Sequence, residues 1–87
     1  MINIDLYRIF YIVAVNQNIT KASEKLNISQ PAITKHIKNL EDSLGVILFN
    51  RTRKGVVLTP IGQEIFLQIK NALTILDNVE SEIKNYK

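Results

Sequence analysis

Eighty-seven residues with a formal net charge of +3 and 46% hydrophobic content suffice for one small domain with a limited core. The absence of cysteine excludes disulfides and thiolate metal sites, and no apolar run approaches the roughly 18 residues that suggest a membrane span. The N-terminus lacks a basic stretch followed by an apolar one, so no secretion signal is read and a cytoplasmic location is expected.

In chain order, Leu6, Ile9, Phe10, Val13 and Ala14 recur at helical spacing and predict an amphipathic helix from about Ile4 to Asn16. Tyr7, Tyr11 and Val15 form a second row on a neighbouring face. That row serves either the domain core or a subunit contact that leaves the hydroxyls at its rim.

Ala22 and Leu26 lie four apart and mark a short helix ending near Asn27, with Asn18 or Thr20 as its cap. Ser29 suits the cap of the next helix, and Pro31 is tolerated in a first turn where its missing N–H costs nothing. Ile33, Ile37, Leu40 and Leu44 set the buried face of that helix, and Gly45 ends it. A short helix, a tight turn and a second helix make a helix-turn-helix, which lays its second helix in a DNA major groove.

Outward on the second helix stand Gln30, Thr34, Lys35, Lys38 and Asn39, with Pro31 and Ala32 adding a small surface that permits close approach. Gln pairs with adenine in bidentate fashion, Lys donates to guanine or phosphate, and Thr meets phosphate or a thymine methyl. The helix start favours a phosphate through its dipole and its N–H groups. The plainer alternative is an ordinary solvated face.

Catalysis finds no footing. His36, the sole histidine, lies on the outward or boundary side of this helix with no partner at metal-ligand spacing and reads as a surface residue; Glu41-Asp42 form an acidic pair near the helix end, Glu41 reading as a structural hydrogen-bond partner and not an acid catalyst. No nucleophile–base constellation and no phosphate-binding glycine loop occurs, so neither an enzyme nor a cofactor is expected.

Val46–Phe49 and Val56–Leu58 are short apolar runs flanking Asn50-Arg51-Thr52-Arg53-Lys54-Gly55, and they predict a hairpin with a cationic tip. Such a tip suits a phosphate backbone or a narrowed minor groove; a solvated hairpin that merely resists edge pairing is the alternative. Between Thr20 and Lys54 seven basic residues face three acids, while the flanking segments are neutral and slightly acidic. The positive charge therefore concentrates on the helix-turn-helix and the hairpin.

Thr59 as a cap and Pro60 as first residue open a helix that runs to the chain end. Ile65, Ile69, Ala72, Leu76, Val79, Ile83 and Tyr86 repeat every 3.5 residues on average, as in a coiled-coil seam. Phe66 and Leu73 widen the stripe where it meets the core. The far half has nothing else in the chain to cover it, so a second subunit is the expected partner; a helix folded back on its own domain is the alternative.

Leu6 through Gly62 resembles the N-terminal winged helix-turn-helix of LysR-type transcriptional regulators. The matching residues are Ala22, Leu26, Ser29-Gln30-Pro31-Ala32-Ile33-Thr34, Ile37, Leu40-Glu41, Leu44-Gly45, Leu48-Phe49, Arg51, Leu58-Thr59 and Gly62. The chain departs from that pattern at Asn18-Ile19-Thr20, where the family usually has Ser-Phe-Thr, at Ser23 in place of a second Ala, and at Lys35 in place of a common Arg. Lys35 offers a point charge where Arg offers a planar fork, which leaves base preference open there.

The resemblance implies a mainly α fold: a winged helix-turn-helix over residues 1–58 with a two-stranded wing, then a linker helix over 59–87 that pairs antiparallel with a second copy. The partner implied is double-stranded DNA, and two-fold symmetry makes its target an interrupted inverted repeat. Gln30, Pro31, Thr34 and Lys35 are then the base-reading candidates. Thr20, Lys21, Lys38, Arg51, Arg53 and Lys54 hold the backbone, Arg51 being partly structural. Tyr7, Tyr11, Ile65, Ile69, Ala72, Leu76, Val79 and Ile83 form the subunit contact. Members of the family carry an effector-binding domain after the linker helix, so the 87 residues are expected to be a fragment of a longer regulator whose effector ligand binds elsewhere. A winged-helix module for an acidic protein partner is the competing reading, and it predicts weak or sequence-blind DNA binding.

Overall fold

Gln17, Asn27 and Gly45 each adopt the left-handed conformation, at φ 53°, 56° and 73°, and each ends a helix. Their N–H groups turn back to the carbonyls of Val13, Ser23 and Glu41 and close the last turn of each helix. The computed structural model describes residues 1–86; Lys87, the last residue of the expected linker segment, lies outside the described residues. The helices so ended are α1 (Ile4–Asn16), α2 (Ile19–Leu26) and α3 (Gln30–Leu44). They begin at Asn3, Asn18 and Ser29, whose side chains accept the amides of Asp5, Lys21 and Ala32. Of the two candidates for the start of α2, Asn18 is the cap.

The three helices close around Phe10, Val13, Ala22, Ile33 and Leu40, all fully buried or nearly so. Leu48 and Val56 from the wing complete this core. The expected buried faces of α1 and α3 are those observed, with Leu6 and Leu44 half-buried at their ends. The ring of Phe10 meets that of Phe49 at 5.3 Å between centroids and that of Phe66 at 6.5 Å, so one α1 residue ties the wing and the last helix to the core.

The wing departs from its expected boundaries. Strand β1 is Phe49–Thr52 and strand β2 is Gly55–Leu58, antiparallel, with Phe49 opposite Leu58 and Thr52 opposite Gly55. The loop is therefore Arg53-Lys54 alone, and Val46–Leu48 is not strand. Polar Asn50, Arg51 and Thr52 extend the ladder because a two-stranded ribbon open to water does not require apolar side chains at every position. Val46–Leu48 stays out of the ladder because its polar groups are taken elsewhere. The Leu48 N–H donates to Glu41 Oε2 at 2.7 Å, and the Leu48 carbonyl accepts the Thr59 N–H at 2.9 Å.

Thr59 and Pro60 open α4 (Pro60–Tyr86) as expected; the Thr59 hydroxyl accepts the Gly62 N–H at 3.0 Å and donates to the Ile47 carbonyl at 2.7 Å. A Cβ at Gly62 would stand 2.3 Å from the Leu48 carbonyl oxygen, so glycine is what lets the first turn of α4 lie against the wing base. Ile69 and Leu73 then settle on the core, and Tyr11 stacks on Phe66 at 5.4 Å and 4°. Beyond Leu73 the helix leaves the body. At 27 residues it is about 40 Å long, and it sets the long dimension of a molecule of 47 × 26 × 21 Å. No helix among the described residues is long and apolar enough to cross a membrane.

Candidate nucleic-acid interface

The N-cap at Ser29 and the Ile33–Ile37–Leu40 anchor fix which side of α3 faces out. That side presents Gln30, Pro31, Thr34, Lys35 and Lys38 to solvent. These five residues line one shallow open depression together with Ile19 of α2 and Arg51 of β1. All four candidates for base reading are thus brought together, and two of the candidates for backbone contact join them.

Arg51 is not at the wing tip. Its strand partner is Val56, which is buried, so Arg51 stands on the face of the ribbon turned toward the body and α3. Arg53 and Lys54 alone occupy the tip, exposed and outside the depression. The single cationic tip expected from Arg51, Arg53 and Lys54 is therefore two separate features. Neither Arg53 nor Lys54 has a positive φ, so the turn lacks the Asn-Gly or Asp-Gly chemistry that would have marked it in the sequence.

Thr20 and Lys21 are exposed on the first turn of α2, beside Ile19 at the edge of the depression. Asn18 takes the Lys21 amide at 2.8 Å, and the amides of Ile19 and Thr20 have no partner among the described residues. The start of α3 is more nearly spent. Pro31 has no N–H, the Ala32 amide goes to Ser29 Oγ at 3.2 Å, and the Ile33 amide goes to the Ser29 carbonyl at 3.1 Å. A phosphate there would meet the helix dipole but few donors, whereas the start of α2 offers two.

Three features of the site were not read from the sequence. Ile19 gives the depression an apolar wall. Asp42 holds the Lys38 ammonium at 3.2 Å on an exposed flank, an i,i+4 pairing that sequence spacing could have revealed. The wing is tied to the end of α1, where the Val56 N–H donates to the Gln17 carbonyl at 3.1 Å. Gly55 makes that approach possible: at φ 150°, a Cβ there would lie 2.1 Å from the Gln17 oxygen. Glu41 accepts hydrogen bonds, as expected, from the amides of Leu48 and Phe49. His36 is half-buried on α3.

The subunit-contact candidates divide. Ile69 is buried within the chain and Tyr11 is engaged with Phe66. Leu76, Val79 and Ile83 are 40%, 51% and 52% exposed. Tyr7, Ile65, Ala72 and Leu76 line an apolar groove of about 430 Å³ between α1 and α4, together with Met1 and Ile4.

Residues 4–63 match the family model described as the bacterial regulatory helix-turn-helix protein, lysR family. The chain belongs to the LysR family. Among its LysR-family relatives are the HTH-type transcriptional regulator CysL of Bacillus subtilis, 38% identical over 79 residues, and the RuBisCO operon transcriptional regulator of Allochromatium vinosum, 46% identical over 59. The matches cover 91% and 68% of this chain but only 26% and 20% of those proteins. These relatives are transcriptional regulators, not enzymes, in line with the expectation drawn from the sequence.

Among LysR-family structures, the chain is similar to the BenM DNA-binding domain in complex with catB site 1 DNA, at TM-score 0.90 and 33% identity over 98% of this chain and 96% of that one. It is also similar to the CbnR DNA-binding domain in complex with DNA, at TM-score 0.85 and 27% identity over 98% of each. The winged helix-turn-helix with its long C-terminal helix is thus a LysR-type DNA-binding domain in fold.

Proposed function

We propose that the chain binds double-stranded DNA in a sequence-specific manner as a homodimer and serves a transcriptional regulator. Each subunit lays α3 in a major groove and sets its wing along the adjacent backbone or minor groove. The observation that carries this reading is the shared depression lined by Gln30, Thr34, Lys35, Lys38 and Arg51 together with the small surface of Pro31. Donors suited to base edges and cations suited to phosphates share this one surface, as expected of a reading surface. The solved complexes of similar domains with DNA support it.

In this reading Gln30, Pro31, Thr34 and Lys35 meet bases. Thr20, Lys21, Lys38, Arg51, Arg53 and Lys54 hold phosphates, with Arg51 reaching from beside α3 and Arg53 and Lys54 from the tip. The exposed line of Leu76, Val79 and Ile83, continuous with the groove at Tyr7, supports a second copy as the partner of α4. Two such subunits related by a two-fold axis read an interrupted inverted repeat. An effector ligand would act through a further domain of the kind that longer family members carry.

Selection of bound duplexes from a randomised library at moderate salt tests the reading. Enrichment of a two-fold symmetric, interrupted motif is expected. A folded, dimeric protein that enriches nothing would overturn it.

A further inference from the structure

Three polar ties hold the wing to the rest of the molecule. The Val56 N–H reaches the Gln17 carbonyl at the end of α1, and Thr59 at the start of α4 reaches the carbonyls of Ile47 and Leu48. The third runs to α3: Glu41 Oε2 accepts the Leu48 N–H at 2.7 Å and the Phe49 N–H at 3.3 Å. Of the three, only this last tie touches the helix that reads bases.

We propose that Glu41 is a positioning residue for DNA recognition, setting the register of the wing against α3. The inference rests on the DNA-binding function proposed above. Glu41 grips the chain where the irregular segment after α3 becomes β1, whose first residue is Phe49. Arg51 lies two residues further on the same face of the strand, so a shift at the Phe49 amide is transmitted to Arg51 and then to the tip. The carboxylate is reserved for this task because the neighbouring Lys38 is held by Asp42, one residue further along α3. Both amides share one oxygen of Glu41, so the tie requires that oxygen in its place, and the charge strengthens bonds that its position makes possible.

The distinction makes the proposal testable. A carboxamide oxygen in the same place accepts both amides, an aspartate keeps the charge but withdraws the oxygen by one methylene, and an alanine removes both. Wild type, Glu41→Gln, Glu41→Asp and Glu41→Ala are each compared with and without the paired substitutions Arg53→Ala and Lys54→Ala. Affinity for the selected duplex is measured against salt concentration, and thermal unfolding by circular dichroism reports which variants are folded. In the wild type, loss of two tip cations lowers the slope of log affinity against log salt by about two units, since each phosphate contact contributes about 0.9.

In Glu41→Ala the same loss is expected to change the slope by about half a unit or less, because a displaced tip has already lost its phosphates. Glu41→Gln should recover most of the two-unit response and Glu41→Asp only part of it. A full response in folded Glu41→Ala would overturn the proposal, as would a Glu41→Gln that behaves like Glu41→Ala. If Glu41→Ala is unfolded, the order of Gln above Asp decides alone, and the reverse order overturns it. Failure of the wild type itself to bind any duplex would instead sink the DNA-binding reading.

Discussion

The body of the domain and the outer half of α4 are built from similar apolar residues and solve opposite problems. In the body, Ile33, Leu40 and Leu48 are wholly buried, and every helix end in the region is closed by a side chain or a left-handed cap. Past Leu73 the same kind of stripe continues through Leu76, which Tyr7 and its neighbours cover in part, to Val79 and Ile83, which are about half exposed. An apolar side chain gains roughly 1.5–3 kcal/mol from full burial, and this half of the helix collects little of that within one chain. The body is closed by its own packing, whereas the outer helix leaves its stripe largely exposed within one chain.

The sharpest way to break this contrast is to charge the outer stripe. If α4 pairs as proposed, Leu76→Glu places a carboxylate in the seam, and two-fold symmetry places a second one in the partner. An unpaired charge taken from water costs several kcal/mol, so the dimer should dissociate at concentrations where the wild type is paired. Sedimentation velocity reads this directly, while helical content of the body should persist. A dimer of unchanged stability would show that the exposed stripe is not the seam.

Leu40→Ala tests the other side of the contrast. It removes a fully buried side chain from α3 and should cost about 2–5 kcal/mol in chemical unfolding. That is a large share of the 5–15 kcal/mol expected for a small domain. The loss should be nearly independent of protein concentration, unlike the effect of Leu76→Glu. If both variants lost stability in the same concentration-dependent way, body and outer helix would form one cooperative unit and the contrast would fail.

The two regions also differ in how well the chain announces them. Helices α1 to α4 were legible because period, caps and stops agree: Ser29 with Pro31, Gly45 after Leu44, Thr59 with Pro60. The outer stripe of α4 was legible by spacing alone. The wing was legible as a hairpin but not in its boundaries, because its strand ends are polar and its turn uses Arg53-Lys54 without a glycine or asparagine in the two-residue loop. Its placement depends on bonds to Gln17, Glu41 and Thr59, which join separate elements and which no helix or strand periodicity encodes. For the same reason the site was half legible. The outward face of α3 follows from its buried face, but the position of Arg51 beside α3 follows only from strand register.

Within the interface a smaller contrast separates reading from holding. Lys35→Ala should cost about 1–3 kcal/mol on the preferred duplex and relax selectivity at one base position, since it removes a contact inside the depression. Lys54→Ala at the tip should weaken all duplexes alike and lower the salt slope by about one unit. Competition binding with single-base variants of the selected site separates the two. Identical profiles for both variants would mean that Lys35 on α3 and Lys54 at the wing tip do not divide the roles of reading and holding.

The smallest expected effect concerns Asp42. Its carboxylate holds the Lys38 ammonium at 3.2 Å, with the two side chains 64% and 68% exposed. An exposed i,i+4 pair contributes only about 0.3–0.5 kcal/mol to stability, so Asp42→Asn should leave the unfolding curve almost where it was. Its consequence lies in binding. Lys38 must share itself between Asp42 and any phosphate, and the carboxylate repels that phosphate as well. Removing the charge should tighten random and preferred duplexes by a similar factor of a few and steepen the salt dependence, leaving their ratio unchanged. Equal gain on both duplexes would identify Lys38 as a holding residue that its own helix keeps in check. A gain confined to the preferred duplex would move Lys38 among the readers, inside the depression it already lines.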